Sequence, residues 1–169
     1  MPTNLLITYN RLLELAHLPE YQRQASLGGV FRRDFEINAA DLAFRTQRVY
    51  PIPGEADNLK RLFKHLTTVV VDHATKRREY EAERSERLHW VRVHILEQVQ
   101  IPKPCLIFFS DDPEGERLYL FNEAERYVVI LQPLRKVNAF YLLTAYRLEP
   151  RNLKKIKNKY KRRKPDPIP

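Results

Sequence analysis

Cysteine is almost absent: Cys105 is the only one in 169 residues. No intramolecular disulfide and no paired-cysteine metal site can form, which fits a reducing, cytosolic setting. Glycine is nearly as scarce, with four residues. No P-loop, GxGxxG, HExxH or GxSxG is present, so phosphate-cradling loops, zincin chemistry and hydrolase nucleophile elbows lack their sequence signatures. No apolar run approaches the ~18 residues of a membrane span. The opening Met1-Pro2-Thr3-Asn4-Leu5-Leu6 has no basic region of a signal peptide. Carboxylates are scattered, so a two-metal nuclease would have to gather its site from distant positions. No internal repeat is visible.

What is there suffices for a core. Hydrophobic residues make up 43% and aromatics 11%, which excludes a disordered chain. Charge is unevenly placed. Residues 1–150 hold 21 Lys+Arg against 20 Asp+Glu, and residues 151–164 hold the other 9 bases with no acid. Asp166 completes the balance, so a nearly neutral body carries a cationic arm within a total of +9. Polyphosphate is the natural partner of such an arm, because each neutralised phosphate releases condensed counterions. A solvated tail that only aids solubility is the plain alternative.

Along the chain, apolar residues from Leu5 to Leu18 predict a helix stopped by Pro19. Gln22 to Arg33, with Gly28-Gly29, reads as a loop. Phe31 to Tyr50 is mixed, and Pro51-Ile52-Pro53-Gly54 is a break. Asn58 to Leu66 reads as a helix that Asp57 or Asn58 caps. Thr67 to Asp72 is β-branched and strand-like, and Lys76 to Tyr80 is a charged connection. Glu83 to Gln98 reads as one helix with Arg84, Leu88, Val91 and Ile95 on one face, ended by Pro102 and Pro104. Four strands follow, Cys105–Ser110, Arg117–Phe121, Tyr127–Gln132 and Ala139–Arg147, with short links that favour an antiparallel meander. A basic helix runs from about Arg151 until Pro165. The fold class is therefore α+β: N-terminal helices, then a twisted antiparallel meander with a helix packed on one face. The expected divisions are a helical extension over 1–30, an α+β unit over 31–150 and a basic tail over 151–169.

Candidate chemistry gathers between Arg84 and Tyr146. An arginine on the inward stripe of a helix either is paired, or lines a cleft, or reaches solvent along its stem. His89 and His94 flank that stripe roughly 140° apart, unlike the i,i+4 spacing of a two-histidine metal site. Each could serve as an acid or base near neutral pH. His65 is a weaker candidate, and His17 and His73 look incidental. In the last strand Phe140, Leu142, Thr144 and Tyr146 alternate onto one face. Thr144 and Tyr146 can bind phosphate or donate a proton. Both are also simply good strand residues.

Glu83-Arg84-Ser85-Glu86-Arg87-Leu88-His89-Trp90-Val91, a Tyr-Leu-Phe strand, Tyr127-Val128-Val129-Ile130-Leu131 and Phe140-Tyr141-Leu142-Leu143-Thr144-Ala145-Tyr146 together resemble the phage-associated branch of the barnase–EndoU–colicin–RelE-like nucleases. The resemblance covers about residues 31 to 160, and Phe44-Arg45-Thr46-Gln47-Arg48-Val49-Tyr50-Pro51 matches its entry segment. It implies a helix on a twisted antiparallel sheet and a metal-independent endoribonuclease, phage-derived or toxin-like and needing no cofactor. The family's basic helix residue maps onto Arg84 and its strand hydroxyl onto Thr144; His89 and His94 are looser matches. The implied reaction is attack of the RNA 2′-hydroxyl on its own 3′-phosphate. A histidine acts as base, Arg84 and Thr144 stabilise the phosphoryl charge, and Tyr146 or the other histidine assists the leaving oxygen, giving a 2′,3′-cyclic phosphate. Lys154, Lys155, Lys157, Lys159, Lys161, Arg162, Arg163 and Lys164 would hold RNA, either tRNA or mRNA. An antitoxin or immunity protein is a further implied partner, and no membrane is involved. Two other readings stand beside this one: a non-catalytic RNA-binding module on a degenerate nuclease fold, and a phage-associated interaction protein.

Overall fold

The computed structural model describes residues 3–52 and 58–169. The expected break at Pro53-Gly54 and cap at Asp57 lie outside them. The architecture is α+β, a six-stranded mixed sheet with helices on both faces and a separate two-stranded hairpin. Strands β5 (Leu106–Asp112), β6 (Gly115–Asn122), β7 (Tyr127–Leu134) and β8 (Ala139–Arg147) form the expected antiparallel meander. The β5–β6 turn places Gly115 at φ 120, a conformation that a side chain disfavours. The sheet then continues past β8, which the sequence did not announce. Strand β2 (Gln47–Tyr50) pairs parallel to β8 through Val49–Phe140 and Tyr50–Tyr141, and β1 (Ala43–Phe44) pairs antiparallel to β2. These strands are too short for alternation to stand out, and burial of Phe44 and Val49 holds them.

One face of the sheet carries Phe109, Leu118, Leu120, Val129, Leu131, Phe140 and Leu142 into the main core. They meet Leu27, Val30 and Phe31 of α1 (Glu20–Phe31), Leu62 and Leu66 of α2 (Asn58–Thr67), and Val91 and Ile95 of α4 (Trp90–Ile95). The opposite face presents Phe108, Tyr119, Phe121, Val128 and Ile130 to Leu148 and to Ile156 of α5 (Leu153–Lys161). Covering on both faces explains why β6 and β7 read as nearly continuous apolar runs rather than alternating ones.

Several expectations fail for reasons of packing. Leu5 to Leu18 is not a helix: after a 3₁₀ turn at Thr3–Leu6 the chain runs irregularly over α4. Leu13 N–H donates to the Glu86 carbonyl at 2.9 Å, and Trp90 Nε1 donates to the Arg11 carbonyl at 3.1 Å. Ile7, Leu13 and Leu15 are buried by this course, so the apolar spacing served a strap and not a helix face. Conversely, Gln22 to Arg33 is no loop but most of α1, which starts directly after Pro19 and continues into a π-helical turn at Arg32–Ile37. Glycine costs about 1 kcal/mol in a helix, and burial of Ser26, Leu27, Val30 and Phe31 outweighs Gly28 and Gly29. The expected division after residue 30 thus falls inside α1, and Ile7, Leu13, Leu15, Leu27 and Val30 belong to the main core. Lys76 to Tyr80 is likewise a strand in part, β4 (Arg77–Tyr80), paired with β3 (Thr68–Asp72).

Glu83 to Gln98 is broken into α3 (Ala82–Ser85) and α4, with a turn between them. The break buries Ser85, Arg87, Leu88, His89, Trp90 and Val91 together. A straight helix would spread consecutive residues around its circumference.

Candidate nucleic-acid interface

The site grows from a capped helical turn. The Glu81 carboxylate accepts from Arg84 N–H at 2.7 Å, fixing the start of α3. Arg84 then projects toward α2 and the end of β8. Its Nη1 donates to the carbonyls of His65 at 2.7 Å and Thr68 at 3.1 Å. Its guanidinium carbon lies 5.4 Å from the centre of the Tyr146 ring. Arg84 is therefore beside Tyr146, one of the two strand residues expected next to it, although the single helix on which that expectation rested is broken. Arg78 of β4 converges on the same backbone, donating from Nε to Thr68 Oγ1 at 2.8 Å and from Nη2 to the Thr68 carbonyl at 2.9 Å. Arg87 donates from Nη1 to the Glu83 carbonyl at 2.7 Å and lies 5.1 Å from the Trp90 ring centre, with Nε buried and unbonded.

These three guanidiniums share an electrostatic feature. Among the described residues, none has a carboxylate within ion-pair distance; their hydrogen bonds go to carbonyl and hydroxyl oxygens. Burial is the main force lowering the pKa of each, and Arg78 adds repulsion at Arg84. Arginine still stays charged, so Arg78 and Arg84, which both donate to the Thr68 carbonyl, concentrate positive charge there with Glu81 as a nearby acid, whereas Arg87 lies nearer Glu83 and Glu86. His65 sits within the field of Arg78 and Arg84. Burial first, then Arg78, Arg61 and Arg84, push its pKa from 6.5 down to about 4, leaving a half-buried neutral imidazole beside cations. Sequence reasoning ranked this histidine low, because α2, α3 and the β3–β4 hairpin meet only in three dimensions.

Thr144 and Tyr146 are neighbours on one face, but not on the face expected. Ile130 pairs with Thr144 and Leu131 with Leu142, so Leu143 is an extra residue in β8. This bulge reverses the alternation. Phe140 and Leu142 point into the main core, whereas Tyr146 packs with the cluster under α5, and Thr144 lies opposite Ile130 of that cluster. Arg84 makes no hydrogen bond to Thr144; its bonds are to the two carbonyls.

The two other expected catalytic residues are elsewhere. His94 is 1% exposed. Its Nδ1 lies 2.7 Å from the Trp90 carbonyl and its Nε2 lies 3.0 Å from Asn122 Nδ2. The natural tautomer donates from Nδ1 and accepts at Nε2, so neither nitrogen is left for a substrate. Asn122 also donates to the Tyr9 hydroxyl at 3.0 Å, tying α4, β6 and the N-terminal strap together. His89 is 4% exposed and faces the Arg11 and Thr8 carbonyls of that strap without hydrogen-bond geometry. Burial pushes both imidazoles down to about 4. The structure does not bring His89 or His94 to Arg84; it covers both with residues 7–13.

The basic tail is docked rather than free. Ile156 is buried on the sheet, Lys164 N–H donates to the Phe109 carbonyl at 3.0 Å on edge strand β5, and Ile168 packs against the main core. Lys157 pairs with Glu123 at 3.3 Å, Lys159 with Asp112 at 2.5 Å and Lys164 with Glu116 at 2.5 Å. Lys154, Lys155, Lys161, Arg162 and Arg163 are exposed. Arg163 lies over the Tyr160 ring at 4.2 Å and donates to the Tyr160 carbonyl at 3.0 Å. The eight tail cations are thus divided: some fasten α5 to the sheet, and others face solvent.

Among the described residues, no group of His, Cys, Asp and Glu could hold a metal ion, and no helix is long and apolar enough to cross a membrane. No known family, curated protein or solved structure matches the chain.

Proposed function

We propose that this protein binds RNA through its phosphate backbone, at a site centred on Arg84 and extended by the exposed cations of α5. One observation carries the reading. Arg78 and Arg84 are half-buried, positioned together by neutral oxygens at Thr68 and without a carboxylate in ion-pair contact among the described residues. A phosphate supplies the missing negative charge, and guanidinium matches its oxygens in geometry. The test is binding of single-stranded RNA across a salt series. Log affinity should fall linearly with log salt. Arg84→Gln should weaken binding about tenfold, the scale of a lost charge-assisted hydrogen bond. Salt-independent binding, or equal affinity for the variant, would overturn the reading.

A second reading adds metal-independent cleavage at the same place, toxin-like and with an antitoxin or immunity partner. It is favoured by a neutral imidazole in the field of Arg84, since His65 is already in the form that accepts a proton. His65 would take the 2′-hydroxyl proton, Arg84 would stabilise charge on the phosphoryl oxygens, and Tyr146 would assist the departing 5′-oxygen. Cleavage of RNA in EDTA, giving cyclic-phosphate ends and lost in His65→Gln, is the expected result. Intact RNA after long incubation with saturating protein would leave the binding reading alone.

A further inference from the structure

Tyr146 faces two environments, and the second is a cleft that the arginine cluster does not explain. On one side stands the Arg84 guanidinium, 5.4 Å from the ring centre. On the other, Tyr146 joins Tyr119, Asn152, Lys155, Ile156 and Lys159 around a half-open cavity of about 230 Å³ between the sheet and α5. Lys159 and the Tyr119 hydroxyl are committed to the Asp112 carboxylate, so they form a fixed wall. Lys155 is exposed and, among the described residues, has no carboxylate in ion-pair contact; the Asn152 side chain is exposed as well. Tyr119 is 5% exposed, with Phe108 stacked on its ring and Lys159 over it, so the cleft offers the Tyr146 ring, one amide and one uncommitted cation beside the Arg78 and Arg84 guanidiniums.

We infer that this cleft holds one nucleotide of a single-stranded RNA, with its base beside Tyr146, a phosphate at Lys155 and a neighbouring phosphate at Arg84. The inference rests on the RNA-binding reading and adds to it the strand type and the path. The volume is below the 300 to 1,000 Å³ range of about drug-sized pockets, so it suits one flat ring and excludes a helix. A base can enter only if it is unpaired, and aromatic surface accepts any base by stacking. Asn152 supplies a donor and an acceptor to the base edge.

The test uses the full chain and a short 2′-O-methyl oligouridylate, which survives even if the protein cleaves RNA. On titration, the Asn152 side-chain amide and the Tyr146 ring should shift in NMR spectra. Lys155→Gln should lower affinity roughly fivefold or more, while Lys136→Gln, exposed in the turn between β7 and β8 and outside the proposed site, should change it less than about twofold. An RNA duplex of equal length should bind more weakly and leave Asn152 unmoved. Equal losses from the two lysine variants, with Asn152 unmoved, would overturn the cleft while an Arg84→Gln loss keeps the RNA reading. Undisturbed binding in Arg84→Gln would overturn that reading's centre. Polyglutamate binding as tightly, with the same dependence on Lys155, would overturn the RNA assignment for an acidic protein segment.

Discussion

Arg84 and His94 belong to one stretch of chain yet live in opposite surroundings. The Arg84 end is a capped turn whose half-buried arginine donates to carbonyl oxygens. The His94 end is roofed by the N-terminal strap, with Trp90 and Tyr9 rings 4.9 Å apart and His94 and Tyr127 rings 4.9 Å apart. Imidazole in the second place is a structural pin; imidazole at His65, close to the first, remains half-exposed among arginines. Residue type set what each group could do, and burial decided whether it could reach a partner.

Breaking the roofed end should have the largest effect. Trp90→Ala should cost about 3 to 5 kcal/mol, the usual range for a buried large aromatic. At about 2 to 4 °C per kcal/mol in a chain of this size, the melting temperature should drop by roughly 6 to 20 °C. Arg84→Gln should leave it within a few degrees while weakening RNA binding about tenfold. A Trp90→Ala protein that melts like the wild type would remove the contrast between the two ends.

Acid should reveal the same contrast next. Folding holds His89 and His94 near 4, below their ordinary value of 6.5. The unfolded chain therefore binds more protons between these values. The associated stability is complete above pH 6.5 and is lost as pH falls toward 4. Each histidine should contribute on the order of 2 to 3 kcal/mol to that loss, as an upper bound. The melting temperature measured from pH 7 to 4 should fall accordingly, and His94→Gln should flatten part of the slope. His65→Gln should flatten it much less, because solvent screens a half-exposed group. Equal flattening by the two variants would make the two histidines equivalent.

The smallest effects concern the tail. Lys157→Gln removes a surface pair with Glu123 and should change stability by less than about 1 kcal/mol. Lys161→Gln, exposed and outside the fastened set, should leave melting unchanged and reduce the RNA salt slope by about 0.7, the value of one single-strand phosphate contact. An unchanged slope would assign Lys161 to solubility.

Much of the fold was legible because its signals are local. Strand Ala139–Arg147 agrees residue for residue with its β-branched and aromatic run, and α2 differs from its expected span by one residue at its end. Arg84 does lie beside Tyr146, but not by the expected route, since the helical stripe is broken after Ser85 and the bulge turns Tyr146 to the other face. The bulge at Leu143 was not legible, because nothing in Leu142-Leu143-Thr144 distinguishes a regular strand from one with an extra residue. The cleft depends on where α5 lands, which its basic sequence leaves open.

By itself the sequence determined the α+β class, the meander, the basic helix and the lack of paired-cysteine chemistry. Each follows from composition or from periodicity within a short window, where neighbouring residues alone carry the signal. Tertiary structure alone decided that Leu5 to Leu18 would be a strap, that Gly28-Gly29 would sit in a helix, and that His65 would stand with the arginines while His89 and His94 were covered. Those outcomes depend on which distant segment packs against which, because burial free energy rewards the surface removed from water and is indifferent to separation along the chain.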